Sequence, residues 1–387
     1  MRADLRGAAA CAVLGATLGG IGFLSVALTR LRAFSRLPAA GSTARPPVTL
    51  LKPVHGLEFE LEDNLRTFCA QDYPEFQVVL GVLDPADRAL PVLRRLAAEF
   101  GDRVTVAVGD GVARHRNPKI ATLAPLLPHA RHDLLVVADS DMRVGPDYLD
   151  AIAAAFDDPQ VGAATCIYRG EPAGDGIAST LGAMAITEQF APSALVATAV
   201  EPMSYCFGGT MAVRRAVFDA FGGLEALGAQ LADDAAMGRF TAELGHRVVL
   251  ARYVAATVVD ELNLRTLLGH ELRWARTVRS VRPGGYAGLI LTYPLPLALA
   301  YLALARRRGF AFGIVAAAAS VRIALHLAAH RILAAPRRPS LVLIPLRDVL
   351  GLAVWMAGLR GGEVRWRGRP IQIAPDGEIE PEVTSRS

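Results

Sequence analysis

The sequence predicts an α/β fold, a mainly parallel sheet flanked by helices, set between apolar helical segments at the two ends of the chain. Three observations predict it. Between about residues 47 and 285, short runs rich in Val and Leu alternate with amphipathic stretches, the pattern of βαβ units. Before and after that region lie apolar stretches near the length of a bilayer span. One run, Leu134 to Ala138, stops in Asp139-Ser140-Asp141. In open α/β sheets, ligands gather outside the carboxyl ends of the strands.

The apolar ends account for the composition. Of 387 residues, 52% are hydrophobic, and the mean hydropathy is +0.32, more apolar than a wholly soluble protein usually is. Ala8 to Leu28 is almost free of charge and long enough to cross a bilayer. Arg30, Arg32 and Arg36 follow it, so the positive-inside rule places that end in the cytoplasm. A cleaved signal peptide is the rival reading; the long apolar core and the lack of a small-x-small cleavage site favour an uncleaved anchor. Three further candidates are Ala287 to Ala305, Phe310 to Ala329 and Leu341 to Leu359. The second carries Arg322 and His326, the third Arg347 and Asp348. Charges at that depth point to a functional pocket or to an interfacial helix. If all three cross, Arg306, Arg307 and Arg308 fall outside, against the charge rule. The expected organisation is an anchor and linker (1–46), a soluble α/β region (47–285), C-terminal membrane helices (286–362) and a polar tail (363–387) whose last residues are mobile.

In the soluble region the strands are Val48 to Leu51, Phe76 to Leu83, Val104 to Val108 and Leu134 to Ala138. The helices between them are Leu57 to Ala70, Ala89 to Phe100 and Lys119 to Leu127. The crossover rule makes this half Rossmann-like. No GxGxxG follows the first strand, which disfavours a dinucleotide cofactor. Further on, the pattern gives a helix at Tyr148 to Phe156, a strand at Val161 to Tyr168 and a helix at Ile177 to Phe190. Phe207-Gly208-Gly209-Thr210 is a tight turn before the apolar run Met211 to Val213. Two more helices follow, Leu231 to Leu244 and the basic Leu262 to Ser280, stopped by Pro283-Gly284-Gly285.

The net charge of +4 resides in arginines near apolar segments, and no basic stripe is interleaved with aromatics. Anionic head groups are therefore the expected partner, and nucleic acid is not. Cys11, Cys69, Cys166 and Cys206 form no CxxC pair, so neither a disulfide framework nor a zinc site is expected, and reduced thiols are the default.

Carboxylates carry the candidate chemistry. Asp139 and Asp141 are two hard oxygen ligands, suited to Mg²⁺ or Mn²⁺ bound to phosphate oxygens. Asp84 and Asp87 end the second strand, where a carboxylate accepts from a nucleobase or ribose. Asp233 and Asp234 open a helix; one of them, facing a cleft, is a general base for an acceptor hydroxyl. His270, Arg273 and Trp274 share a helix face, where Arg273 offers a planar fork and His270 a donor to a leaving diphosphate. Each also has a plain structural reading: turn residue, helix N-terminus, or surface-anchored basic helix.

Taken in order, Leu50-Leu51-Lys52-Pro53, Asn64-Leu65, Gln71-Asp72-Tyr73-Pro74, Asn117-Pro118-Lys119-Ile120, Asp139-Ser140-Asp141, Ala232-Asp233-Asp234, Arg273-Trp274, Arg347-Asp348 and Trp366-Arg367-Gly368-Arg369 resemble the membrane-bound GT-A glycosyltransferases of the ceramide-glucosyltransferase type, in the family-2/21 group. The resemblance runs from about Leu50 to Arg369. It implies that Asp87 or Asp84 binds the nucleotide, that Asp139 works with the metal, that Asp234 is the catalytic base, and that Lys119 and Asp233 join the substrate-binding set. Arg273 and Trp274 match the last motif, whose first position is here His270 instead of Gln or Arg. A second departure is Ala191-Pro192, where the animal ceramide enzymes carry His-Pro. The abundance of Ala, Gly and Arg points to a bacterial source. The whole is similar to the bacterial hopanoid-associated glycosyltransferases.

The expected activity is therefore inverting transfer of a sugar from a UDP-sugar to a membrane-lipid hydroxyl at the cytoplasmic face of a bacterial inner membrane. N-acetylglucosamine and bacteriohopanetetrol are the favoured pair. Glucose and ceramide are the alternative. A processive polysaccharide synthase and a non-catalytic membrane scaffold are the remaining readings.

Overall fold

The computed structural model describes residues 2–37, 41–336, 339–361, 363–366, 369–372, 374 and 377–380. It divides into two compact units. One comprises Met1–Leu37, Arg169–Val200 and Val259–Pro370; the other comprises Pro38–Tyr168, Glu201–Val258 and Ile371–Ser387. Residues 169–200 and 259–285 thus group with the terminal apolar helices.

The second unit is built on an eight-stranded sheet. Its strands are β1 (Val48–Pro53), β2 (Phe76–Val82), β3 (Val104–Val108), β4 (Leu134–Val137), β5 (Met142–Arg143), β6 (Val161–Pro172), β7 (Met211–Arg214) and β8 (Arg247–Val259). The order is β3-β2-β1-β4-β7-β6-β8-β5. The expected parallel run is β3-β2-β1-β4. Beyond it the register is antiparallel, between β4 and β7, β7 and β6, and β5 and β8. Every residue of β1 and β2 is buried, which is why both read as mainly apolar runs, with Thr49, Lys52 and Gln77 as the polar exceptions.

Side-chain alternation sends the two halves of each run to opposite faces. Leu50, Val78, Leu80 and Val136 pack with Leu65, Phe68, Leu93 and Leu96 from the Leu61–Cys69 and Leu90–Phe100 helices. Leu51, Val79, Leu135 and Val137 pack with Ile120, Leu123 and Met237 from the Pro118–Leu123 and Asp233–Glu243 helices. Two helical layers therefore cover the sheet, and β4 carries Asp139 out between them.

Some boundaries differ from the sequence pattern for local reasons. The helix expected from Leu57 begins at Leu61, because Glu60 takes a left-handed backbone (φ 51°). The strand β8 lies outside the elements picked out by periodicity, although Val248, Val249, Val254, Thr257, Val258 and Val259 are all strand formers. The stretch expected as one helix from Ile177 is helical to Ala185, passes through a π-helical turn at Ile186–Phe190, and continues as Ala191–Val200. In the polar tail, Gly377 and Ile379 dock on the 229–231 loop, with Leu231 N–H to Gly377 O at 3.1 Å and Ile379 N–H to Ala229 O at 2.8 Å. Residues 381–387, expected to be mobile, and Arg367-Gly368 of the last motif lie outside the described residues.

In the first unit, the Arg2–Arg36 helix packs Ala10, Val13, Leu14 and Ile21 on Ala298, Tyr301, Ala311 and Ile314 of the Pro294–Leu304 and Arg308–Ile332 helices. Among the described residues two helices, Leu5–Arg36 and Arg308–Ile332, are long and apolar enough to cross a membrane; Pro283–Thr292 with Pro294–Leu304, bent by 68°, makes a third if the pair is one span. The last candidate is the Leu343–Gly358 helix. Its 16 residues reach about 24 Å, short of the roughly 30 Å hydrocarbon core, and it buries Arg347 and Asp348 completely.

Truncating Leu80, which is fully buried on the first face, is expected to cost about 2–5 kcal/mol. A Leu80→Ala chain with an unchanged midpoint of thermal unfolding in detergent would contradict that packing.

Candidate active site

The site is assembled by four short segments of the sheet unit. Asn117 caps the Pro118–Leu123 helix, its Oδ1 accepting from Lys119 N–H (2.8 Å) and Ile120 N–H (3.3 Å). Pro118 at the first helical position needs no hydrogen-bond acceptor. The cap fixes where Lys119 leaves the backbone. Its Nζ lies 2.7 Å from Asp139 Oδ1 and 3.4 Å from Asp233 Oδ2. Asn117 Nδ2 also donates to Gln230 O (2.8 Å) and Asp233 Oδ1 (3.4 Å), so one side chain holds both the lysine and the acid that it meets.

Asp139 follows β4, and its other oxygen faces the Phe207–Thr210 turn. That turn closes with Thr210 N–H to Phe207 O (3.1 Å). It is pinned by Thr165 of β6, whose hydroxyl accepts from Phe207 N–H (2.9 Å) and donates to Thr210 O (2.6 Å). Cys206 N–H donates to Asp234 O (3.1 Å), tying the turn to the start of the Asp233–Glu243 helix. A Cβ built on Gly208 would lie 3.4 Å from Asp139 Oδ2, 3.4 Å from Asp234 Oδ2 and 3.7 Å from Lys119 Nζ. Two carboxylates and an ammonium therefore converge on the space above a glycine, and Gly208 keeps that space open.

Asp141 sits deeper. Its Oδ2 accepts from Thr257 Oγ1 of β8 (3.0 Å), and its carbonyl from Val258 N–H (3.0 Å). Lys52, fully buried on β1, donates to the main-chain carbonyl of Asp139 and lies 3.5 Å from the centroid of the Phe68 ring. The sequence pattern ends the first strand at Leu51, whereas β1 runs on through Lys52 to Pro53. A lysine inside an apolar run, followed by a carboxylate pair three strands later, is the available signal.

Electrostatics set the protonation states. Burial would lower the Lys119 ammonium, but Asp139 and then Asp233 outweigh it and hold it well above its ordinary value. Burial brings Lys52 down to about 7 despite the pull of Asp139 and Asp141. Burial, then Asp139 and Glu58, pushes Asp141 up to about 7. Burial, then Asp233, pushes Asp234 up to about 6, with Lys119 opposing. The set is thus rich in carboxylate oxygens and short of positive charge. Asp139 and Asp141 are hard oxygen donors, and a divalent cation would relieve the repulsion that raises Asp141, so the residues present fit Mg²⁺ or Mn²⁺.

Asp84 and Asp87 make contacts of their own within the sheet unit, and His270, Arg273 and Trp274 belong to the other unit. Asp84 is exposed and accepts from Ala86 N–H (2.8 Å) in its own turn. The Asp87 side chain is buried; both its oxygens accept from Gly56 N–H (2.9 and 3.0 Å), and His55 Nδ1 lies at 3.4 Å, so it fixes the loop after β1. His270, Arg273 and Trp274 lie on the Leu264–Val281 helix of the first unit, which opens with an Asn263–Thr266 capping box. His270 Nδ1 is 2.7 Å from Glu261 Oε1, and its ring is 4.3 Å from that of Trp274. The hydrogen bond from His270 holds Glu261 below the usual carboxylate range. Arg273 is half-buried and Trp274 is exposed.

Comparison with known proteins follows the same lines. The model of glycosyl transferase family 21 matches residues 12–379. Among curated relatives, ceramide glucosyltransferase 1 of Caenorhabditis elegans is 28% identical over 102 residues, covering 26% of this chain and 22% of that protein. Ceramide glucosyltransferase 3 of the same organism is 21% identical over 236 residues, covering 60% of this chain and 50% of that protein. The chain thus spans half or less of the length of these relatives. A mannosyltransferase from Pyrobaculum calidifontis, solved with GDP-Man and Mn²⁺, superposes with a TM-score of 0.53 at 21% identity, covering 92% of this chain and 99% of that one. That likeness identifies the fold as GT-A-like.

Replacing Lys119 with Met leaves Asp233 buried without its cation. The expected loss of stability is about 3 kcal/mol, read as a lower unfolding midpoint. No change would mean that the ammonium is not what compensates Asp233.

Proposed function

The chain belongs to glycosyl transferase family 21, and on that footing we propose that it transfers a sugar from a UDP-sugar to the hydroxyl of a membrane lipid, with inversion at the anomeric carbon. The observation that carries this reading is the convergence of the Asp139 and Asp234 carboxylates and the Lys119 ammonium on the space above Gly208. A diphosphate brings two negative charges to be neutralised, and an acceptor hydroxyl needs a base on the face opposite the leaving group. The cluster supplies both kinds of group from fixed elements.

In this reading Asp139 and Asp141 hold Mg²⁺ or Mn²⁺, which when bound neutralises charge on the donor diphosphate. Lys119 holds Asp139 in place and adds positive charge beside it. Lys52 fixes the Asp139 main chain. Asp233 anchors the start of its helix through Lys119 and Asn117, and Asp234, next along, is the base that takes the hydroxyl proton through a carboxylate oxygen. Asp87 acts on the nucleotide through the loop it fixes, and Asp84 lies in the same turn. From the motif alone, Arg273 is assigned to the developing charge of departing UDP, with His270 and Trp274 beside it in sequence.

The apolar helices at both ends make the membrane the setting, and Arg30, Arg32 and Arg36 favour a cytoplasmic catalytic face. The acceptor is accordingly a lipid. The curated relatives are named ceramide glucosyltransferases, which favours glucose and ceramide over the N-acetylglucosamine and bacteriohopanetetrol expected from overall look. Purified protein offered UDP-glucose and UDP-N-acetylglucosamine with either lipid decides between them by product mass. UDP release with no lipid product would reject the lipid acceptor. Long polymer would support a synthase instead.

Asp234→Asn is expected to reduce turnover by at least about a thousandfold while UDP-sugar binding persists, since general-base catalysis contributes about 10²–10⁴ and the altered group also faces the acceptor. Near-normal turnover removes Asp234 as base. Because its carboxyl is raised to about 6, the base is ionised above that pH and is lost as pH falls through it. A rate profile at saturating metal is expected to show an acid limb at or somewhat below pH 6 that is absent from the residual rate of Asp234→Asn.

A further inference from the structure

The first unit buries a cluster that the transferase reading does not use. Glu188 lies in the π-helical turn Ile186–Phe190, an insertion of the kind that often marks a functional position. His326 and His330 lie four residues apart on the Arg308–Ile332 helix, hence on one face. His326 Nδ1 is 3.0 Å and His330 Nε2 is 2.9 Å from the same oxygen, Glu188 Oε1. These three atoms all lie within 4.8 Å of one another, and the residues are 1%, 0% and 6% exposed.

We propose that Glu188, His326 and His330 form a binding site for a borderline divalent transition-metal ion of the Zn²⁺ class. Two imidazoles and a carboxylate are the donors such ions take, and an i, i+4 histidine pair with a third ligand from another segment is a common way to supply them. A tetrahedron with bonds of about 2.0 Å has edges of about 3.3 Å, so small side-chain rotations bring the two histidine–glutamate distances of 3.0 and 2.9 Å to the required one. Charge points the same way. Glu188 Oε2 lies 2.8 Å from Arg322 Nη1, and Arg322 Nε lies 2.9 Å from Asp348 Oδ1. Two carboxylates share one guanidinium, so with both imidazoles neutral one negative charge stays uncompensated within these five side chains. Such a charge is costly away from water, and a cation at Glu188 Oε1 relieves it. Arg322, in turn held by Asp348, orients the Glu188 carboxylate from behind, as outer partners of metal ligands do. Three protein ligands leave a fourth position for water.

The alternative occupant is a proton shared by the two histidines, and the experiment separates the two. Full-length protein is purified in detergent without chelator, and its metal content is measured. Wild type and Asp139→Asn are expected to retain one zinc per chain, which Glu188→Gln and His330→Gln lose. X-ray absorption on wild type is expected to show two imidazole nitrogens and a carboxylate oxygen. This readout does not depend on the folding of buried variants. After zinc is stripped, Co²⁺ is expected to give the visible bands of a tetrahedral site. No retained zinc together with no cobalt bands overturns the proposal in favour of the proton, and an oxygen-only shell overturns it in favour of the Asp139–Asp141 pair. Neither result bears on the transferase reading, which is tested by product and by Asp234→Asn.

Discussion

A charge taken out of water must find its counter-charge, and both units of this chain are arranged around that constraint. The desolvation penalty amounts to several kcal/mol per ion even after relaxation. In the sheet unit, Asp139, Asp141, Asp233, Asp234 and Glu58 influence one another, and Lys119 and Lys52 answer two of the five charges. Burial raises Asp141 and Asp234, and the neighbouring carboxylates raise them further. A pocket left negative in this way is poised for a cation, and a carboxylate raised toward neutrality is a better proton acceptor than an ordinary one. The same imbalance thus prepares both the proposed metal site and the proposed base.

The constraint also explains which features were legible in the sequence. Strands β1, β2 and β4 read plainly because each is buried on both faces, which favours apolar residues; β3, at the sheet edge with Val108 exposed, reads from its valines. The position of Asp139 beyond the end of β4 follows from that strand's apolar run. Lys52 was not legible, because a lysine in a strand looks like an ending until its partner, the main-chain carbonyl of Asp139 beyond the end of β4, is known. Asp87 read as a ligand-facing acid, yet its oxygens accept from Gly56 N–H; backbone partners leave no trace in side-chain spacing. Strand β8 was missed because its Val-rich run carries Arg252 and three alanines, which weaken the alternation. Antiparallel neighbours such as β7 are set by long-range register, on which local pattern is silent.

Charged residues within the C-terminal apolar segments were visible as anomalies, but not their partners. Arg347 and Asp348 are adjacent, and on a helix adjacent side chains diverge by about 100°. Arg347 reaches Glu271 of the Leu264–Val281 helix with both Nη atoms (2.5 and 2.8 Å) and donates to Leu181 O (3.2 Å). Asp348 accepts from Arg322 of the Arg308–Ile332 helix, and Arg322 meets Glu188. One dipeptide therefore joins helices on two sides, and the pairs run in a chain from Glu271 to His330.

Such a chain is a poor way to gain stability alone. Well-packed apolar side chains of similar volume often serve as well or better, since they carry no desolvation penalty. What ion pairs add is selectivity of register. An apolar helix can slide by a turn against apolar neighbours at small cost, whereas Arg347 moved by one turn, about 5.4 Å, would lose both bonds to Glu271 and leave a bare charge inside. The penalty that makes the pairs weak as stabilisers is the one that makes misplacement prohibitive. For the Leu264–Val281 helix this matters directly. Glu271 lies between His270 and Arg273 in sequence, so the grip on Glu271 also sets the rotation of the helix that carries them.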